Sequence, residues 1–218
     1  MSMSWINSAA ASGLRLLGRS AVGLTVCSLL AGCVSGGTSG AATSTPGAGR
    51  TTRAEHGSPR DWRYGTYTMT CDGLDPGGFS VTLVKGAGQA PADVGDTPYY
   101  DHFDVRYEAD ASGDIDGDGK PDTVVLLRCS PQPSNGFVEE VQVFSPARGR
   151  LGVLPSPSTL PEASELAPLY DPTGLSVDHG DIVAAMKVYG PEDSHATGPS
   201  EHVTVRWHWD GRQFARVQ

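Results

Sequence analysis

The densest chemistry in this 218-residue chain lies in Asp114-Ile115-Asp116-Gly117-Asp118-Gly119-Lys120-Pro121-Asp122. Carboxylates recur there at alternating and near-alternating positions, with glycines between them. Carboxylate oxygens are hard donors, and several of them in one turn suit a hard divalent cation such as calcium. With Asp114 as position 1 of a calcium loop, Asp116, Asp118 and Asp122 take positions 3, 5 and 9, and the Lys120 carbonyl takes position 7. Gly119 falls at position 6, where such loops turn sharply, and Gly117 can also adopt positive φ. Like charges this close repel unless a cation neutralises them, which favours a metal-bearing loop over a solvated acidic turn. The role expected of the ion is structural rather than catalytic. Extracellular calcium modules bind in a range of about 10⁻⁴ to 10⁻³ M, which keeps a site filled outside the cell.

An EF-hand would place a bidentate Glu at position 12, followed by a helix. Val125 stands there, inside a β-branched run. The segment resembles instead the loop of FG-GAP and VCBS repeats, known from integrin-type β-propeller blades. In those repeats the same Asp spacing, with Gly119 and Asp122 in place, precedes a strand such as Thr123–Leu127. The resemblance implies calcium binding by Asp114, Asp116, Asp118, Asp122 and the Lys120 carbonyl. The loop occurs once, whereas a propeller needs several copies, so neither a propeller nor an adhesive role is carried over.

The start of the chain speaks to location. Arg15 and Arg19 precede an apolar run from Ala21 to Ala31, with no acidic residue among them. The run is too short to span a bilayer, which needs about 20 residues, and reads as a secretory signal. Leu30-Ala31-Gly32-Cys33 at its end resembles a bacterial lipobox. That resemblance implies removal of residues 1–32 and a diacylglycerol on the Cys33 thiol. Acyl chains contribute about 0.8 kcal/mol per buried methylene, so a lipidated chain is anchored to the extracytoplasmic face of the cell membrane without spanning it. Residues 33–60 form the lipidated N-terminus and a linker rich in Gly, Ser, Thr and Pro, expected to hold the domain roughly 30 Å off the membrane.

Processing leaves Cys71 and Cys129. Outside the cell such a pair most often forms one disulfide, and a loop of this length contributes about 4 kcal/mol in the chain-entropy account. The rival readings are a metal site or a nucleophilic thiol, and no neighbouring histidine supports either. From Asp61 onward 24 acidic side chains face 11 basic ones, a net of −13. That field repels nucleic-acid phosphates and attracts cations, so nucleic acid is not an expected partner.

Residues 61–218 read as one acidic, all-β antiparallel domain, sandwich-like or a curved sheet, with at most one short helix. Thr123–Leu127 is a continuous aliphatic run. Val203, Val205, Trp207 and Trp209 alternate with Thr204, Arg206 and His208, and Asp210-Gly211 turns the chain into Gln213–Val217. Further strands are expected at Ser80–Val84, Phe103–Glu108, Phe137–Phe144, Leu175–Val177 and Asp181–Val188, the last two joined by the turn Asp178-His179-Gly180-Asp181. Pro161–Leu166 is the one candidate helix, with Pro at its first position. The 16 prolines and 28 glycines argue against longer ones.

No histidine pair has zinc-ligand spacing with a supporting acid, and no nucleophile elbow, phosphate loop or dinucleotide fingerprint is present. No catalytic residue is named. The tryptophans fit the core and Tyr99-Tyr100 is the other aromatic cluster. The sequence thus predicts a calcium-stabilised lipoprotein domain that binds a protein or envelope glycan partner or serves a structural role. The alternative is a secreted calcium-dependent hydrolase, which would need a pocket near Asp101, His102 or His179.

Overall fold

A strand whose consecutive residues are apolar must be covered on both faces, and the architecture follows from one such run. The computed structural model describes residues 60–92 and 99–217 of the chain. Its strands are β1 (Thr66–Met69), β2 (Phe79–Thr82), β3 (Ala87–Pro91), β4 (His102–Gly113), β5 (Asp122–Gln132), β6 (Val138–Ser145), β7 (Gly149–Val153), β8 (Leu169–Asp178), β9 (Asp181–Val188), β10 (Glu201–Trp209) and β11 (Phe214–Val217). Every pairing is antiparallel. The expected all-β antiparallel domain is what forms.

Three sheets result: β3-β4-β5-β6-β7, β11-β10-β9-β8 and the β1-β2 hairpin. The five-stranded sheet is central, and β5 is its middle strand. Val124 and Leu126 enter a core shared with Ile182, Met186 and Trp207 of the four-stranded sheet. Val125, Leu127 and Cys129 enter a second core with Tyr67, Met69 and Val81 of the β1-β2 hairpin. Each fully buried Val or Leu of such a run contributes roughly 1.5–3 kcal/mol.

One irregularity lets β4 serve both cores. Its register with β5 shifts between Tyr107 and Ala109. An extra residue flips every following side chain to the opposite face. Phe103 and Val105 therefore pack in the second core, whereas Ala109 and Ala111 pack against the first.

Buried polar groups tie the layers together. Glu140 Oε2 accepts from the Thr70 N–H at 3.1 Å, and Gln142 Nε2 donates to the Thr68 carbonyl at 2.9 Å. On the opposite face Glu139 Oε2 accepts from the Tyr170 N–H at 2.8 Å. A covalent tie joins Cys71 to Cys129 across the second core, with Cα atoms 5.6 Å apart.

The turn between β8 and β9 is the expected two-residue hairpin, with His179 and Gly180 at φ 51° and 85°. In β10, Val205 and Trp207 are buried while Thr204 and His208 are exposed, as the alternation requires. The expected helix at Pro161–Leu166 does not form. The short helical element, a 3-10 turn, is Pro157–Thr159 just before it, capped by the Ser156 hydroxyl. Local bonds take the place of a helical turn: the Ala163 N–H closes a turn on the Leu160 carbonyl at 2.9 Å, and the Ser164 hydroxyl accepts from the Leu166 N–H at 3.2 Å. Leu30–Cys33, the cleavage site, the lipidation site Cys33 and the linker before Arg60 lie outside the described residues.

Candidate metal centre

The acidic segment is the connection of the β4-β5 hairpin. Gly113 pairs with Asp122, and residues 114–121 form the loop between them. Two features fix its place. Ile115, alone among the acids, turns inward and is 5% exposed in the first core. Gly113 lies so close to β8 that a Cβ there would stand 2.6 Å from Val177 Cγ1. Gly117 and Gly119, at φ 75° and 80°, take the left-handed conformation the sequence expected of them.

The loop folds around its own carboxylates. Asp114 Oδ1 accepts from the Gly117 N–H at 2.9 Å and its Oδ2 from the Gly119 N–H at 3.0 Å. Asp122 Oδ2 accepts from Ile115 and Asp116 N–H groups at 2.9 and 3.1 Å. Asp116 Oδ1 accepts from the Asp118 N–H at 3.2 Å. Backbone donors thus orient one oxygen of Asp116 and Asp122 and leave the other turned away from the peptide.

Those second oxygens define the centre. Asp114, Asp116 and Asp122 each present a carboxylate oxygen within 4.8 Å of the others. Asp116 Oδ2 and Asp122 Oδ1 are buried and have no hydrogen-bond partner. The Asp122 residue is 0% exposed. An anionic oxygen removed from water without a partner carries a heavy desolvation cost, which a bound cation offsets. Three converging carboxylates are hard oxygen donors, so the residues fit calcium.

Three of the four predicted carboxylates are brought together. Asp118 is not among them: its Oδ1 accepts from the Lys120 N–H at 2.8 Å, and both residues are exposed. One participant was not foreseen from the sequence. Arg148, in the turn between β6 and β7, places Nε 3.3 Å from Asp116 Oδ2, in a geometry that forms an ion pair but no hydrogen bond. Nothing local marks Arg148, which lies far from the loop in sequence. Ile115 did carry a signal, as the lone apolar side chain within the acidic run.

The remaining candidates are dispersed. A shallow cleft beside the loop is lined by Asp114, Ile115, His179 and His208 among others. Each histidine there is engaged by its own aspartate: His179 Nδ1 with Asp178 at 2.7 Å, His208 Nδ1 with Asp181 at 2.8 Å. Arg206 bridges the same two aspartates, and its hydrogen bond holds the Asp178 carboxyl below the usual range. Asp101 is exposed, and His102 lies 3.7 Å from Asp104. Trp207 is fully buried, as expected, and Tyr99 is 84% exposed.

A second acidic place, a cavity of about 270 Å³, is lined by Asp72, Glu139, Glu140 and Tyr170. Both glutamates have partners: Glu139 accepts from Tyr170 and Arg128, Glu140 from Thr70 and Gln142. Burial pushes the Glu139 carboxyl above its ordinary range, against the pull of the Tyr170 N–H and Arg128. These groups read as ties between sheets.

No family model, no curated protein and no solved structure matches this chain.

Proposed function

We propose that the chain is a lipid-anchored extracytoplasmic protein whose β domain is stabilised by calcium and acts as a binding or structural module of the cell envelope. The observation that carries the metal is the buried Asp122 Oδ1, which has no hydrogen-bond partner, beside Asp116 Oδ2, which has an ion pair with Arg148 but no hydrogen bond, in a cluster with Asp114. The lipid anchor rests on Leu30-Ala31-Gly32-Cys33 alone. The net negative field of the domain favours cationic or neutral partners, such as a protein or an envelope glycan, over nucleic acid.

A calcium-dependent hydrolase is less well supported. The cleft holding His179 and His208 has no serine, threonine or cysteine in its lining. In the binding-module reading the ion's work is mechanical: it neutralises the loop and pins the start of β5.

Thermal unfolding with a chelator and with excess calcium tests the reading. A ligand at about ten times its Kd adds roughly 1.4 kcal/mol, worth several degrees in a domain of this size. An identical midpoint under both conditions overturns the metal reading.

A further inference from the structure

Arg148 carries an inference that rests on the calcium reading and goes beyond it. Its turn, residues 146–148, joins β6 to β7 and reaches the acidic loop of the neighbouring hairpin. The Asp116 side chain is fully buried, whereas the Arg148 side chain is 54% exposed. The guanidinium therefore approaches the carboxylates from the solvent side of the site.

Its contact differs from the two-pronged arginine pairs of this molecule and is matched by Arg128, whose Nε lies 3.4 Å from Glu108 Oε1 without a hydrogen bond. Arg63 grips Asp61 through two hydrogen bonds of 2.9 and 2.8 Å, and Arg216 grips Glu162 through two of 2.8 and 2.6 Å. Those are the two-pronged pairs that arginine geometry favours. Arg148 makes no such pair: its contact supplies charge but satisfies neither Asp116 Oδ2 nor Asp122 Oδ1. A loosely held monovalent charge thus stands beside oxygens that a divalent ion would both neutralise and ligate. Two cations so close repel each other, and they compete for the same carboxylate.

We infer that Arg148 is a displaceable counter-cation of the loop, which holds the acidic site together without the ion and leaves when calcium enters. It then sets the calcium concentration at which the domain responds, and it couples the β6-β7 turn to the state of the site.

The test uses the whole chain freed of metal by a chelator, titrated with calcium chloride in a calorimeter as wild type, R148A and R148Q. Both variants are expected to bind calcium roughly tenfold more tightly at low salt, with the gap narrowing as salt screens the charge. Nitrogen-edited NMR should show the Arg148 Nε–H signal moving as calcium saturates the wild type. Without calcium, R148A should unfold at a lower temperature than wild type, and added calcium should close that gap. If the wild type binds calcium and the variants bind it equally or more weakly, the inference is overturned while the metal site stands. If no protein in the series takes up calcium, the reading of the loop itself fails.

Discussion

Asp122 and Ile115 are joined where the acidic loop meets its strand: Asp122 Oδ2 accepts from the Ile115 N–H at 2.9 Å, and both residues are buried. The link makes Asp122 the hinge between loop and core, because Ile115 anchors in the first core while Asp122 opens β5. Asp122→Ala is therefore expected to lower stability by about 2–4 kcal/mol, through lost hydrogen bonds and lost cation affinity together. Asp118→Ala, outside the cluster, should cost less than about 1 kcal/mol and keep the calcium response. Denaturant melts with and without calcium check both, and equal effects at the two positions would refute the ligand assignment.

Gly113 and Val177 give a second expectation. A methyl at Gly113 would meet Val177 Cγ1 at 2.6 Å, too close for either backbone to accept unmoved. Gly113→Ala should destabilise by about 1–3 kcal/mol, and Val177→Ala in the same chain should restore part of that loss. A double variant no more stable than the Gly113→Ala single would show that the conflict lies elsewhere.

The Cys71–Cys129 tie spans 58 positions and lies in the second core. Replacing both cysteines by serine should cost about 2–5 kcal/mol. Because the two cores lie on opposite faces of the central sheet, calcium binding measured below the lowered melting temperature should persist. Loss of binding in a folded variant would contradict that separation.

Glu139 predicts a pH dependence of definite sign. Its carboxyl is held above the ordinary 4.5, burial being the largest cause. A raised carboxylate favours the folded state while it is protonated, and that contribution is lost as pH rises from 4.5 through the folded value. Glu139→Gln keeps an acceptor for the Tyr170 N–H and removes the titration. Stability measured from pH 4 to 8 should thus fall less steeply with rising pH in the variant than in the wild type, and parallel curves would exclude Glu139 as the source.

Asp193 works in the opposite direction. It accepts from the Gly190 N–H, the Ser200 N–H and the Ser200 hydroxyl at 2.7, 2.8 and 2.9 Å, and these bonds hold its carboxyl below 3.8. Its contribution is present above 3.8 and is lost as pH falls through the lower folded value. Amide exchange at Gly190 and Ser200, corrected for its intrinsic pH dependence, should therefore show lost protection at that acid end, and should be as weakly protected in Asp193→Asn at neutral pH.

What was legible in the sequence follows a physical line. The continuous apolar run of β5 and the alternation of β10 were readable, because burial on two faces or on one writes itself into consecutive residues. The turn at His179-Gly180 was readable because few residues tolerate positive φ. β3 (Ala-Gly-Gln-Ala-Pro) and β7 (Gly-Arg-Leu-Gly-Val) were not, since their propensity is poor and they are strands only by pairing with β4 and β6. The second half of β4 was hidden by its register shift, which interrupts the period of two. At the site, local spacing revealed the aspartates and left Arg148 silent, because its part depends on a neighbouring hairpin coming close.

The position of β5 between two separate cores also constrains how this chain can change length. Removing or adding one residue between Asp122 and Cys129 would exchange the cores that Val124, Val125, Leu126 and Leu127 enter, and would turn one end of the strand away from its loop or from its disulfide partner. Insertions should be better tolerated at exposed turns such as Asn135–Gly136 or Ser194–Thr197, where tags, spacers and grafted peptides are best placed.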